Sequence, residues 1–339
     1  MTRRQSAQLG LGFAISILFL WLILRSIPAR DIFAALATVD AGWMALAVAF
    51  FAAGYACRIE RWRRMLLLHR PGIGWRRCAV PFMASIAANN VLPFRAGDAL
   101  RAVAFSGWLD VPTARVLATL LAERLMDLLA LLLALALALA LLGGGAGFGS
   151  LLTWSTGLFG LATVLVVLLL FPRALEPPMA WLLRAVSRFA PGVARAAGLQ
   201  IERVFDTLQG LASPRHASTL LVWSLLAWGF EGSMFYAVAR ALPGIVQPIA
   251  AWLAMPVGTL STMLPSTPGY VGTFHFFAMR AMEELGNPEA ASAAFAFLVH
   301  FTLYVPVTLI GGICFGYWML VRASIAPAPL NKALLNDNN

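Results

Sequence analysis

The sequence predicts an all-α fold, a polytopic transmembrane helix bundle with two re-entrant or broken helices. Three observations predict it. Of 339 residues, 60% are hydrophobic and only 12% charged, with a mean hydropathy of +0.80, a composition far from that of a soluble domain. Long apolar runs recur along the whole chain, and two shorter ones end in Pro- and Gly-rich breaks. A hydrocarbon core about 30 Å thick needs roughly 20 apolar residues in a helix, so this length allows on the order of six to eight crossings.

Complete spans are predicted at Leu9–Ile27, Gly42–Cys57, Val116–Leu142, Leu151–Phe171, Leu220–Leu242 and Ala291–Leu320. Arg3 and Arg4 ahead of the first resemble a signal peptide, but no A-x-A-like site followed by a polar domain comes after it, so an uncleaved span is expected. The broken stretches are Ala79–Pro93, ending Asn89-Asn90-Val91-Leu92-Pro93, and Ala250–Leu264, running into Pro265-Ser266-Thr267-Pro268-Gly269. Each has 15 residues. As a helix that reaches about 22 Å, short of the hydrocarbon thickness, so both should be re-entrant.

Charge tests the count. The segment Arg58–Arg77 holds seven arginines and Arg173–Arg215 holds six, which the positive-inside rule places in the cytoplasm. Both end there only if Ala79–Pro93 dips in and returns on one side. The second broken segment then enters from the outer side, the arrangement of an inverted repeat, and both termini are cytoplasmic. Residues 1–322 are expected to form one transmembrane domain, including a cytoplasmic amphipathic segment at 173–215, with 323–339 a cytoplasmic tail. In that segment Leu182, Leu183, Val186 and Phe189 recur at helical spacing with Arg184 and Arg188 on other faces, a pattern open to interfacial helices or to packing under the bundle.

The net charge of +10 rests almost wholly on arginines set between apolar runs, which suits topology and anionic lipid rather than nucleic acid. Cys57, Cys78 and Cys314 show neither CxxC nor Cys/His spacing, so no metal, disulfide framework or cofactor is expected. The bacterial cytoplasmic membrane is the expected location.

Three stretches carry the candidate chemistry. In the first, Pro93 ends one helix and starts another, setting free N–H groups near Arg95, while Arg95, Asp98 and Arg101 share a face. Such a helix start suits an anionic head group, with Asn89 and Asn90 beside it; the alternative is an interfacial anchor with Asp98 pairing both arginines. In the second, Glu123, Arg124 and Asp127 lie inside one span, where ionisable groups either line a polar path or pair, locally or with Arg95 or Arg101. In the third, Pro265, Ser266, Pro268, Gly269 and Gly272 break a helix at membrane depth, ahead of His275, which is either a titrating or a packing residue. Glu231, mid-span, is a further candidate partner for a proton or cation.

In order and separation these stretches resemble the flippase-like membrane family related to the transmembrane region of lysylphosphatidylglycerol synthase, over roughly Leu9–Leu320. The resemblance implies a multi-span bundle that moves a lipid between leaflets, in the best-known branch an aminoacylated phosphatidylglycerol. It implies substrate-binding roles for these residues and, as partners, membrane lipids and a separate lipid-modifying enzyme. The family often has Glu where this chain has Asp98, and an acid where it has His275. Lysyl transfer is not implied, since the soluble transferring domain has no counterpart here. The rival class is a membrane-embedded transferase using a polyprenyl-phosphate donor, which needs a carboxylate base in its cavity; an accessory subunit is a third. No clear catalytic cluster favours an enzyme.

Overall fold

The computed structural model describes residues 3–142, 149–264 and 267–325, and among these the secondary structure is helical throughout, without a strand. Helices α1 (Arg3–Ser26) and α2 (Ala29–Leu36) lead into α3 (Ala41–Leu66), whose first turn is capped by Asp40, its carboxylate accepting the Trp43 N–H at 2.8 Å. Helix α4 (Trp75–Val91) turns through Pro93–Arg95 into α5 (Ala96–Val103) and α6 (Ser106–Leu109); then comes α7 (Thr113–Leu142). Next are α8 (Gly149–Leu170), α9 (Glu176–Ser187), α10 (Pro191–Leu211) and α11 (Pro214–Ala241). Helices α12 (Ala251–Ser261) and α13 (Thr273–Glu283) flank the second break, and α14 (Glu289–Ile325) closes the chain. Helices α3, α7, α11 and α14 are long and apolar enough to cross a membrane, and α8 with α9 makes a fifth candidate bent by 99°.

Both broken segments are hairpins that leave where they entered. Arg77 Nε donates to the Trp108 carbonyl at 2.6 Å and Trp108 Nε1 returns a bond to the Arg77 carbonyl at 3.0 Å, joining the start of α4 to the end of α5–α6. The second hairpin is closed by Asn287, which accepts the Gln247 N–H at 2.8 Å and donates to its carbonyl at 3.2 Å. These closures sit at opposite ends of the bundle. Arg70, beyond α3, bonds the Leu109 carbonyl next to the first closure at 2.7 Å, whereas the Asp40 N–H, before α3, bonds the Ala241 carbonyl near the second at 2.8 Å.

Helix α3 packs antiparallel on α11, with Gly54 against the Ala227 carbonyl and Arg61 bonded to Ser224 at 2.9 Å. Glycine sets the two tightest approaches around α4: a Cβ on Gly97 would sit 1.9 Å from the Ser85 carbonyl, and one on Gly311 of α14 2.3 Å from that of Met83. Small residues permit such backbone contact where water supplies no driving force.

One expectation is corrected. Arg58–Arg77 is not wholly a loop, because α3 continues beyond Cys57 to Leu66 and carries Arg58 and Arg61 into the interior. Glu60 instead holds Arg63 and Arg64, three and four residues on, at the periphery. The tail from residue 326, with Pro265 and Ser266, lies outside the described residues.

Candidate functional site

Between α3, α4, α7, α11, α12 and α14 lies a cavity of about 420 Å³. Six arginine, aspartate and glutamate side chains reach its wall: Arg58, Arg95, Glu123, Arg124, Asp127 and Glu231. A charge at this depth is tolerated when paired or facing a polar cavity. Nearly all are paired.

The pairing builds outward from α7, whose consecutive turns present Glu123, Arg124 and Asp127 to three neighbours. Glu123 accepts from Arg101 Nη1 at 3.1 Å; Arg101 is fully buried, bonds Ser85 Oγ at 2.8 Å and stacks over Phe82 and Trp62. Arg124 Nη2 is 3.0 Å from both carboxylate oxygens of Asp98. Asp127 accepts from Arg61 at 2.8 Å and from Trp228 Nε1 at 3.1 Å. Arg58 pairs with Glu231, lies 3.6 Å from Asp127 and stacks on Trp228. Four guanidinium groups, Arg58, Arg61, Arg101 and Arg124, thus face four carboxylates, Asp98, Glu123, Asp127 and Glu231.

Arg95 is the fifth cation. It makes no hydrogen bond or ion pair among the described residues and is exposed at the cavity wall. It holds the N-cap of α5 in a left-handed conformation (φ 52°), which costs a non-glycine residue roughly 1–2 kcal/mol. The helix start is partly occupied, since Asn89 Oδ1 accepts the Asp98 N–H at 3.2 Å while Asn89 Nδ2 donates to the Asp98 carboxylate at 2.9 Å. The expected face-sharing of Arg95, Asp98 and Arg101 therefore separates in role. Asp98 and Arg101 hold other charges, 3.9 Å apart, and Arg95 has no partner among the described residues.

The second break forms the opposite wall. Asn90 Nδ2 donates to Thr308 Oγ1 at 2.8 Å, and the Asn90 carbonyl accepts from Tyr304. His300 Nε2 donates to the Gly269 carbonyl at 2.7 Å, and Gly269 (φ 80°) passes so close to Tyr304 that a Cβ would lie 2.8 Å from its hydroxyl. Pro268 starts the short turn to Tyr270. Gly272 (φ 91°) packs on the Ser16 backbone, and Ser16 Oγ bonds Thr267. Gly272 and His275 do not line the charged cavity.

Of the sequence candidates, then, Asn89, Asn90, Arg95, Glu123, Arg124, Asp127, Glu231 and Gly269 meet at the cavity, and Asp98 and Arg101 support them from behind. Arg58, Arg61, Trp228 and Tyr304 escaped sequence reasoning. For the two arginines a signal existed: a spacing of three on the face continuing Gly54, away from the Glu60–Arg63–Arg64 set. Tyr304 carries no motif.

A model of the lysylphosphatidylglycerol synthase TM region matches residues 10–311. The chain is also 27% identical over 367 aligned residues to the glycosyltransferase AglD of Haloferax volcanii, an alignment covering 99% of this chain and 58% of that protein's length. The architecture and the match over most of its length place this multi-pass membrane protein in the family of the lysylphosphatidylglycerol synthase TM region.

Proposed function

We propose that the chain is a lipid translocase of the bacterial cytoplasmic membrane, which takes the anionic part of a phospholipid or related lipid-linked head group into the charged cavity and moves it between leaflets. The observation that supports this reading is the fifth guanidinium: four cations and four anions cancel, and Arg95 leaves the cavity one positive charge that no group among the described residues answers. A phosphate or an aminoacylated phosphate diester supplies the missing anion, and guanidinium binds it through two parallel hydrogen bonds.

The test reconstitutes wild type, Arg95→Ala and Arg95→Lys in liposomes with a labelled phosphatidylglycerol and follows its accessibility to an outer-leaflet quencher. A charge-assisted hydrogen bond contributes about 1.5–3 kcal/mol, so Arg95→Ala is expected to weaken head-group affinity on the order of ten- to a hundredfold. Lysine should recover only part, lacking the planar fork. Equal rates for wild type and Arg95→Ala would remove Arg95 from the path.

The likeness to a glycosyltransferase favours a second reading, in which the cavity seats a polyprenyl-phosphate donor for a transferase. Against it, Glu123, Asp127 and Glu231 are each held by a guanidinium, which disfavours any of them as a base. The chain also spans only 58% of that relative's length. Transfer of labelled sugar from such a donor by the purified chain would decide for it.

A further inference from the structure

Behind the second break lies another cavity, of about 630 Å³ and almost wholly apolar, walled by Leu36, Val39, Val271, Phe297 and Phe301. It shares His300 and Tyr304 with the charged cavity, so those two side chains form a partition with a charged chamber on one side and an apolar one on the other. One polar group stands out in its wall. His275, only 2% exposed, accepts the Gly272 N–H at Nδ1 (3.2 Å), which leaves the ring proton on Nε2. That nitrogen has no hydrogen-bond partner among the described residues; Phe297 and His300 lie against the ring in tilted contact, with centroids at 4.3 and 4.6 Å. An apolar chamber of this size, with one donor that has no partner among the described residues, fits a long hydrocarbon chain bearing one acceptor near its polar end. A leaflet lipid with that description is an ester-linked glycerolipid, whose carbonyl lies between chain and phosphate.

We propose that this chamber seats an acyl chain of a membrane glycerolipid, with His275 Nε2–H donating to the ester carbonyl, while the head group lies across the His300–Tyr304 partition. The proposal rests on reading the charged cavity as a head-group site. A carbonyl that answers this donor is preferred over an ether oxygen by roughly three- to tenfold, the yield of one net neutral hydrogen bond.

The experiment uses the purified full chain in nanodiscs with two phosphatidylglycerol probes, each carrying a diazirine in one chain, joined by an ester in one and by an ether in the other. Crosslinked residues are read by mass spectrometry. Adducts are expected at Leu36–Val39 and Phe297–Phe301, about three- to tenfold stronger for the ester. His275→Asn keeps an acceptor for the Gly272 N–H but is too short to reach the chamber, and should fold normally while losing the ester preference. Equal labelling of wild type by both probes, adducts elsewhere, stronger labelling by a polyprenyl phosphate, or an ester preference surviving His275→Asn would each overturn the proposal. The two readings fail separately: lipid movement without ester preference removes the chain site alone, whereas ester preference without movement removes the translocase.

Discussion

Arg101 and Glu123 show how single residues share two duties in this interior. Arg101 is wholly enclosed, with Phe82 and Trp62 on its faces, and among the described residues Glu123 is the one carboxylate within hydrogen-bond distance of it, Asp98 standing 3.9 Å away. Removing one partner of a buried ion pair strands the other charge, at a cost of about 3–5 kcal/mol, whereas removing both is far milder. Glu123→Gln and Arg101→Met should therefore each lower the melting temperature in detergent sharply, and the double variant should lose less than the sum of the two. Strict additivity would show that the pair carries no coupling. At this scale the sequence was legible where polar groups break an apolar run: Asn89, Arg95, Asp98 and Glu123–Asp127 were found because nothing but pairing or function keeps them at membrane depth. It was opaque at Arg58 and Arg61, because an arginine at the end of a span has the same appearance whether it snorkels outward or turns in to Glu231 and Asp127.

Elements were read well wherever length and periodicity agree with the bilayer. Four of the expected spans are helices long and apolar enough to cross, α3, α7, α11 and α14; the other two fall on α1 and on α8, the latter half of a bent pair, and both broken stretches are shorter helices, α4 and α12. What the pattern could not supply was direction, since apolar spacing is silent on the angle between successive helices. At Phe171–Pro172 the chain turns by 99°, which sets α9 across the line of α8 rather than along it. Helix α9 buries none of its residues fully and exposes Trp181 (67%), with Phe189 (91%) just beyond its end, beside Arg184 and Arg188. That geometry suits a helix lying in the interface of an anionic leaflet. Moving an aromatic such as Phe189 from water into that boundary is worth about 1.5–3 kcal/mol. A spin label at position 189 is thus expected to collide with oxygen dissolved in lipid, and one at Glu202 with a water-soluble relaxant. Water-like accessibility at 189 in phosphatidylglycerol-containing bilayers would sink the interfacial assignment.

The whole molecule repeats one plan twice: long helix, hairpin, long helix, first as α3, α4–α5, α7 and again as α11, α12–α13, α14. The two units interlock, α3 lying on α11 and α4 on α14, while α12 packs on α7. Because α3 and α11 run antiparallel and the hairpins close at opposite ends, the units are inverted relative to each other. No similarity of residues between the halves betrayed this; it followed from the arginine count, and the count survives even though Arg58 and Arg61 leave the loop. Arg63, Arg64, Arg70, Arg76 and Arg77 still flank the first hairpin, and Gly210 at the end of α10 packs on Leu68, bringing the second basic segment to the same end. The positive-inside rule then predicts that end to be cytoplasmic. In a background free of native cysteine, cysteines placed at Arg76 and Arg195 should react with a membrane-impermeant maleimide only after permeabilisation, and one at the exposed Val246, beside the second closure, should react in intact cells. Reaction of Arg76 and Val246 positions from the same side would mean that the hairpins enter from one face. A cavity walled by two hairpins from the same face would then have no means of opening to each leaflet in turn, and the translocase reading would fall with the topology.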